Sequence, residues 1–180
     1  HPHVREDIEQ DLGLYGNILV TPKDSPLPPV NKEEVLVLDD ILLNAFGDIV
    51  PYGKEGATYV MMGRYGNQML LNGETHYNLN VQKGETVRFY LTNTANARPF
   101  KLAFANARMK LVASDGGPYE QQELIDSLII GPAERYIVDV VFEVSGTQDI
   151  LNMGADIPKK LGTITVSKEE VVVSHKQQFD

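Results

Sequence analysis

The sequence contains neither cysteine nor tryptophan among its 180 residues. Without cysteine the chain can form no disulfide, no thiolate nucleophile and no thiolate-bound metal site. Basic residues are also few, because 16 Lys and Arg stand against 25 Asp and Glu, which gives a formal net charge of −9. This balance argues against a nucleic-acid partner, since no Lys/Arg-rich stretch is present to neutralise phosphates.

Long apolar runs are missing as well. No run approaches the roughly 18 residues that a membrane-spanning helix requires, so no membrane span is predicted. The first residues lack the basic start and apolar run of a secretory signal peptide. A hydrophobic content of 42% and a charged content of 23% are typical of a globular protein that is long enough for one well-buried domain.

Short strand-like runs fill most of the sequence. In ETVRFYLTN, Val87, Phe89 and Leu91 share one face of a predicted strand, and the intervening residues share the other. The nearly continuous apolar run RYIVDVVFEV predicts a strand buried on both sides. Turn pairs such as Asn72-Gly73 separate the runs, a pattern that predicts an all-β sandwich or barrel. The predicted strands are 14–20, 34–40, 58–62, 69–71, 79–81, 86–92, 100–104, 109–114, 123–130, 137–142, 150–153 and 162–166.

Helical turns are predicted only at 5–12 and 40–45, and Met61 and Met62 are predicted to pack in the core. The clearest linker is 23–33, which follows Pro22 and is rich in proline. It separates residues 1–22, too short to fold alone, from a main domain at 34–167; residues 168–180 form a segment that leads onward. The apolar strand at 14–20 needs a partner, which we expect to be a neighbouring chain, the main sandwich, or another part of a larger protein.

The chain begins with His-Pro-His. In an extended strand the residues i and i+2 point to the same side with about 6.5–7 Å of backbone rise between them, so His1 and His3 would present two imidazoles side by side. Neutral imidazole binds copper, zinc, iron or nickel, and the Irving–Williams order favours copper. The pair could bind one ion each or share a single ion. An accidental surface pair remains the alternative when these two residues are considered alone.

The string HPHVREDIEQDLGLYGNILV resembles the end of the first domain of the multicopper oxidases, the laccase-like family. The segments that follow resemble that family's second cupredoxin domain and occur in the same order. They are the linker, EEVLVLDDILLN, VRFYLTNTANARPFKLAF, ASDGGPYE and IIGPAERYIVDV. The final SHKQQFD resembles the passage into a third domain. The resemblance implies a cupredoxin-like Greek-key β-sandwich at 34–167, preceded by a remnant of the first domain at 1–22.

The same resemblance implies roles for both histidines. His1 and His3 would each bind one copper of the type 3 pair within a trinuclear cluster, whose other ligands lie in an earlier HxH motif and in the third domain. The type 1 copper needs a cysteine thiolate, which this chain lacks. The chain would then be the structural middle domain of an exported oxidase (periplasmic, secreted or cell-surface). That oxidase couples one-electron oxidation of a reducing substrate to reduction of dioxygen to water, and the isolated chain is expected to be inactive.

Two other functions are consistent with parts of the sequence. If His1 is a mature N-terminus, its amino group and imidazole could bind one copper with a second histidine, as a histidine brace. A site that uses deprotonated backbone amides up to His3 is blocked, because Pro2 has no N–H. The brace leaves GLYGNILV and GPAERY unexplained. The third hypothesis is a copper-free β-sandwich that acts as an interaction module.

Overall fold

A computed structural model describes residues 3–4, 6–10, 12–24, 26–51 and 61–180. The elements within these ranges are α1 (Glu6–Glu9), β1 (Lys32–Ile41), β2 (Gln68–Leu71), β3 (Tyr77–Lys83), β4 (Glu85–Asn93), β5 (Phe100–Phe104), β6 (Arg108–Ser114), β7 (Gly117–Ile125), β8 (Leu128–Ile130), β9 (Arg135–Phe142), β10 (Gly146–Asn152), β11 (Lys159–Glu170) and the 3-10 helix η1 (Lys176–Phe179). The strands form a β-sandwich of a six-stranded sheet, β2-β1-β4-β9-β6-β7, and a five-stranded sheet, β3-β11-β10-β5-β8. The β1/β4 and β3/β11 pairs are parallel and the other paired strands are antiparallel.

The core lies between the two sheets and confirms the predicted alternation. Val87, Phe89 and Leu91 of β4 are all buried in it. The ring of Phe89 stacks on that of Phe104 from the opposite sheet, with centroids 4.7 Å apart, and Phe142 meets Phe104 edge-on. Such aromatic contacts add to the hydrophobic stabilisation that comes from burial alone. The prediction of an all-β sandwich is confirmed.

A buried ion pair lies on the other face of the six-stranded sheet, which we call the outer face. Arg88 of β4 stands directly opposite Asp139 of β9. The Arg88 guanidinium donates from Nε and Nη2 to the two carboxylate oxygens of Asp139, both at 2.8 Å. Asp139 is fully buried, so β9 is covered on both sides, as its apolar run predicts.

Two segments from outside the strands cover this ion pair and the neighbouring strand. The Arg88 Nη2 also donates to the carbonyl oxygen of Pro28, at 2.7 Å, which holds the proline-rich linker against β4. On the far side, Lys110 of β6 donates to the carbonyl oxygen of Gln178 in η1. The next residue, Phe179, is 4% exposed and lies 5.5 Å from the Arg108 guanidinium. The linker and η1 therefore both lie on the outer face. We call residues 171–180, which follow β11 and include η1, the outgoing segment.

Several sequence-based predictions of local structure are wrong. Residues 14–20 form irregular chain instead of a strand, because the segment is held through side chains and makes no strand ladder. Met61 and Met62 are 82% and 70% exposed, so they do not pack in the core. The rest of the predicted 58–62 strand lies outside the described residues. The 40–45 region continues β1 and then forms an isolated bridge, so it contains no helical turn.

The predicted strand at 123–130 is two strands that belong to different sheets. β7 begins earlier, at Gly117, after a tight turn with β6, and β8 starts at Leu128. Gly117 adopts a φ of 115°, a backbone conformation that residues with a side chain rarely adopt. The turn therefore accounts for the glycine at this position of the Gly116-Gly117 pair. The predicted helical turn near 5–12 is present as the four-residue α1. No helix in the described ranges is long and apolar enough to cross a membrane.

Replacing Arg88 with alanine should strongly destabilise the domain. The Arg88→Ala change leaves the Asp139 carboxylate buried without its cation, which costs about 3–5 kcal/mol in typical proteins. Urea unfolding of the 180-residue chain measures the loss directly. The matched control is Arg135→Ala, because Arg135 pairs with Asp115 at the surface, with 60% and 41% of the side chains exposed. That change should cost less than about 1 kcal/mol. Equal losses of unfolding free energy in the two variants would contradict a stabilising role for the buried Arg88–Asp139 pair.

Candidate metal ligands and the groove beside them

Of the two predicted copper ligands, His3 is the one that lies within the described residues. His3 is exposed and lies three residues before α1, whereas His1 lies outside the described residues. The chain reverses after this short helix. Leu14 N–H donates to the Glu9 carbonyl oxygen and Gly13 N–H to that of Gln10, both at 2.9 Å. Gly13 has a φ of 89°, which completes the usual glycine-dependent helix ending.

Tyr15 fixes the chain after this turn to the outer face of the sandwich. Its hydroxyl donates to the Oδ2 of Asp39 on β1. Burial and this hydrogen bond raise the pKa of Tyr15 to about 12. Two residues further on, the hydroxyl of Thr92 on β4 donates to the Asn17 Oδ1 at 3.1 Å. The residues that follow the histidine motif are therefore held across β1 and β4.

A groove of about 700 Å³ runs between this N-terminal segment and the sheet. Its floor includes Val35, Tyr90 and Ile137 from β1, β4 and β9. Ile18 and Val20 of the segment are 93% and 80% exposed. Apolar side chains of the N-terminal segment thus lie at the surface beside a groove on the outer face of the sheet.

The side chains of the described residues do not make a complete copper site. Outside the gaps in the structure, no group of three or more His, Asp or Glu residues is close enough to hold a metal ion. The His76 ring is exposed and its Nε2 lies 2.8 Å from the Thr163 hydroxyl. His175 begins η1. A copper ion bound through His3 would therefore need further donors besides the groups that the described residues bring together.

Sequence reasoning missed the residues that hold the N-terminal segment. The sequence does contain a signal for Asp39. An acidic residue in the alternating strand VLVLDD needs a hydrogen-bond partner when its face of the sheet is covered by other residues. Asp39 is 7% exposed. Tyr15 was assigned to a strand face, and nothing in the local pattern indicates that its hydroxyl meets a residue 24 positions away.

Fold and donor chemistry together define a cupredoxin-like β-sandwich without a copper site formed by the described residues alone. The sequence profile of the family described as "Multicopper oxidase" matches residues 39–163, which is more than half of the chain. The chain belongs to the multicopper oxidase family. The recognition made from the motifs is therefore confirmed, and copper is the metal that this family implies.

Known relatives agree with this membership. Multicopper oxidase MmcO of Mycobacterium tuberculosis is 27% identical over 175 residues, which cover 81% of this chain and 33% of MmcO. The structure of the laccase-like multicopper oxidase CueO from Ochrobactrum sp. matches with a TM-score of 0.67 and 26% identity, over 91% of this chain and 34% of CueO. The chain spans about a third of the length of both.

A third similarity concerns the fold alone. The copper nitrite reductase of Nitrosomonas europaea matches with a TM-score of 0.68 at 22% identity, over 88% of this chain and 57% of the reductase. The cupredoxin-like sandwich is thus shared with a protein described as a copper nitrite reductase. The fold by itself does not define the reaction.

Replacing Tyr15 with phenylalanine should release the N-terminal segment without unfolding the sandwich. Loss of one hydrogen bond corresponds to about threefold to tenfold faster proteolysis within residues 12–20. Limited proteolysis followed by mass spectrometry measures the rate. Tyr77→Phe is the control, because it removes a comparable bond from Tyr77 to Glu34 within the sandwich. Equal cleavage in both variants would contradict an anchoring role for Tyr15.

High pH should release the same segment in the wild-type chain. The pKa of Tyr15 is raised from 10.0 to about 12 when the segment is bound. Below pH 10 the Tyr15 hydroxyl is protonated whether the segment is bound or released, so the hydrogen bond to Asp39 is fully present. It is lost as the pH rises through about 12. Tyrosinate absorbance should show a late-titrating group in the wild type that Tyr15→Phe lacks. An unchanged titration curve would count against the contact.

Proposed function

We propose that the chain is the structural middle domain of a multicopper oxidase and that it carries two ligands of a shared copper centre. The observation that carries the proposal is the position of His3. It lies exposed at the start of a segment that is laid over the sandwich, outside any metal cluster of the described residues. An exposed histidine on a segment that is held against the sandwich fits a ligand of a site that another domain helps to form.

The histidines have distinct roles in this proposal. His1 and His3 would each hold one ion of a type 3 copper pair, and the remaining ligands would come from flanking cupredoxin domains. Copper, when bound, supplies the one-electron redox chemistry. The contribution of this chain is placement. The turn at Gly13 and the Tyr15–Asp39 hydrogen bond hold the chain that follows the motif against the sheet.

The whole protein would take single electrons from a reducing substrate and reduce dioxygen to water. The sequence relatives that support this activity are about three times as long as this chain. A type 1 copper site with a cysteine thiolate cannot form here, since the chain has no cysteine. The 180-residue chain alone is therefore expected to consume no oxygen.

Replacing His3 with glutamine in the full-length oxidase should lower copper content and oxygen consumption together. Loss of a direct ligand should weaken copper binding at least about tenfold, since even residues that only support metal ligands contribute that much. Copper per protein molecule is measured by atomic absorption and oxygen uptake with an electrode. His76→Gln is the matched control, because the exposed His76 contacts Thr163 on the sandwich.

Full copper content and activity in His3→Gln would overturn the proposal. A separate titration of the 180-residue chain distinguishes the histidine brace. The brace requires one tightly bound copper per chain that is lost when the terminal amino group is blocked. The middle-domain proposal expects weak copper binding or none in the isolated chain, because two imidazoles leave most of the coordination sphere to be supplied by other groups.

A further inference from the structure

Asn31 joins three parts of the chain that are far apart in sequence. Its backbone N–H donates to the Thr86 carbonyl oxygen, and its Oδ1 accepts from the Thr86 N–H, both at 2.9 Å. Its Nδ2 donates to the carbonyl oxygen of Val173, at 2.6 Å and 142 residues away. One side chain therefore connects the end of the linker, strand β4 and the outgoing segment.

The chemistry of the two partners determines the orientation of the Asn31 amide. The Thr86 N–H can only donate, so it must face the amide oxygen, and the Val173 carbonyl can only accept, so it must face the amide nitrogen. A rotated amide would place two donors and two acceptors against each other. Only an asparagine-like side chain satisfies both contacts from this backbone position.

The outgoing segment is seated by further bonds on both sides of Val173. Val171 N–H donates to the Lys83 carbonyl oxygen, at 2.9 Å, and the Ser174 hydroxyl donates to that of Gly84, at 2.8 Å. Both acceptors belong to the turn between β3 and β4. The segment thus follows a defined path before η1 reaches the outer face of β6.

The incoming linker is seated equally well on the other side of Asn31. The buried Arg88 guanidinium binds the Pro28 carbonyl oxygen, and Asp139 holds that guanidinium in place. Three residues later Asn31 leads directly into β1. The linker is therefore fixed at Pro28 and Asn31, and its second fixed point also binds the outgoing chain.

We infer that Asn31 is a positioning residue that ties the outgoing segment to the incoming linker and thereby sets the relative orientation of the two flanking domains. The inference rests on the proposed function, because only in a middle domain do these two segments lead to the domains that share the copper centre. Asn31 touches no copper ligand among the described residues. Its effect on copper binding would be transmitted through the directions of the two segments.

The Asn31→Asp variant tests the connection while keeping the fold. The aspartate can still accept from the Thr86 N–H, but its second oxygen faces the Val173 carbonyl and repels it. Asn78→Asp is the matched control, with the same change of charge. The Asn78 Nδ2 donates at 3.2 Å to the carbonyl oxygen of His76, two residues away on the surface. Urea unfolding should show that both variants stay folded.

Spin labels give a positional readout that a loss of stability alone would not change. The chain has no cysteine, so Asp24→Cys and Val172→Cys introduce the only two labelling sites. Asp24 is exposed in the linker region, and Val172 is 97% exposed. Pulsed electron paramagnetic resonance should give a narrow distance distribution in the parent and with Asn78→Asp. Asn31→Asp should broaden or shift it.

Hydrogen exchange in the 180-residue chain measures how far Asn31→Asp loosens the outgoing segment. Exchange of the Val171 amide should be about threefold to tenfold faster in Asn31→Asp, as expected for one lost hydrogen bond. In the full-length oxidase, the same variant should lower copper per molecule and oxygen uptake, while Asn78→Asp should change neither.

Two results would overturn the inference. An unchanged distance distribution in Asn31→Asp would show that Asn31 does not hold the outgoing segment. A changed distribution with normal copper content and oxygen uptake would show that this connection does not orient the flanking domains. Either failure is distinguishable from failure of the proposed function, which the His3→Gln variant tests separately in the same full-length protein.

Discussion

The buried Arg88–Asp139 ion pair is the interaction on which the arrangement outside the core depends. Charges taken out of water are costly unless their geometry is good and their remaining hydrogen-bonding groups are satisfied. Asp139 satisfies two donors of Arg88, and the Pro28 carbonyl satisfies Nη2 a second time. The linker is therefore part of the ion pair's environment.

The outer face also receives the other segments that lie outside the sandwich strands. The N-terminal segment is held at Asp39 and Thr92, and η1 is held at Arg108 and Lys110. The inner face builds a core of the usual kind for a cupredoxin-like fold. The inner face supplies the hydrophobic core. The outer face carries the buried ion pair and holds the linker, the N-terminal segment and η1.

The inner face was predicted well from the sequence because its burial follows from the alternation of residues within each strand. Alternating residues of β4 point to opposite sides, and the apolar set lies in the core. The outer face was not predictable in the same way. Arg88 looks solvent-exposed by alternation, yet it is buried by a linker residue 60 positions away. Asp139 within an apolar run was the available signal, since a charge in a buried strand needs a partner.

The candidate site shows the same division. The family was recognisable from residue types in order, and the family match over residues 39–163 confirms it. The ligand role of the His-Pro-His motif stays a prediction. The course of residues 14–20 was predicted wrongly, because β-prone composition does not supply a strand with a partner edge. The Asn31–Val173 contact spans 142 residues. No pattern within one segment could have indicated it, and only the folded chain brings these two atoms together.

The most direct test of the account is a crystal structure of the copper-loaded full-length oxidase, with anomalous scattering recorded at the copper edge. The account predicts anomalous peaks bonded to the imidazoles of His1 and His3, at a boundary with a neighbouring domain, and copper ligands from other domains completing the site. Copper peaks that leave both histidines without a metal, or a site completed within this sandwich, would contradict it.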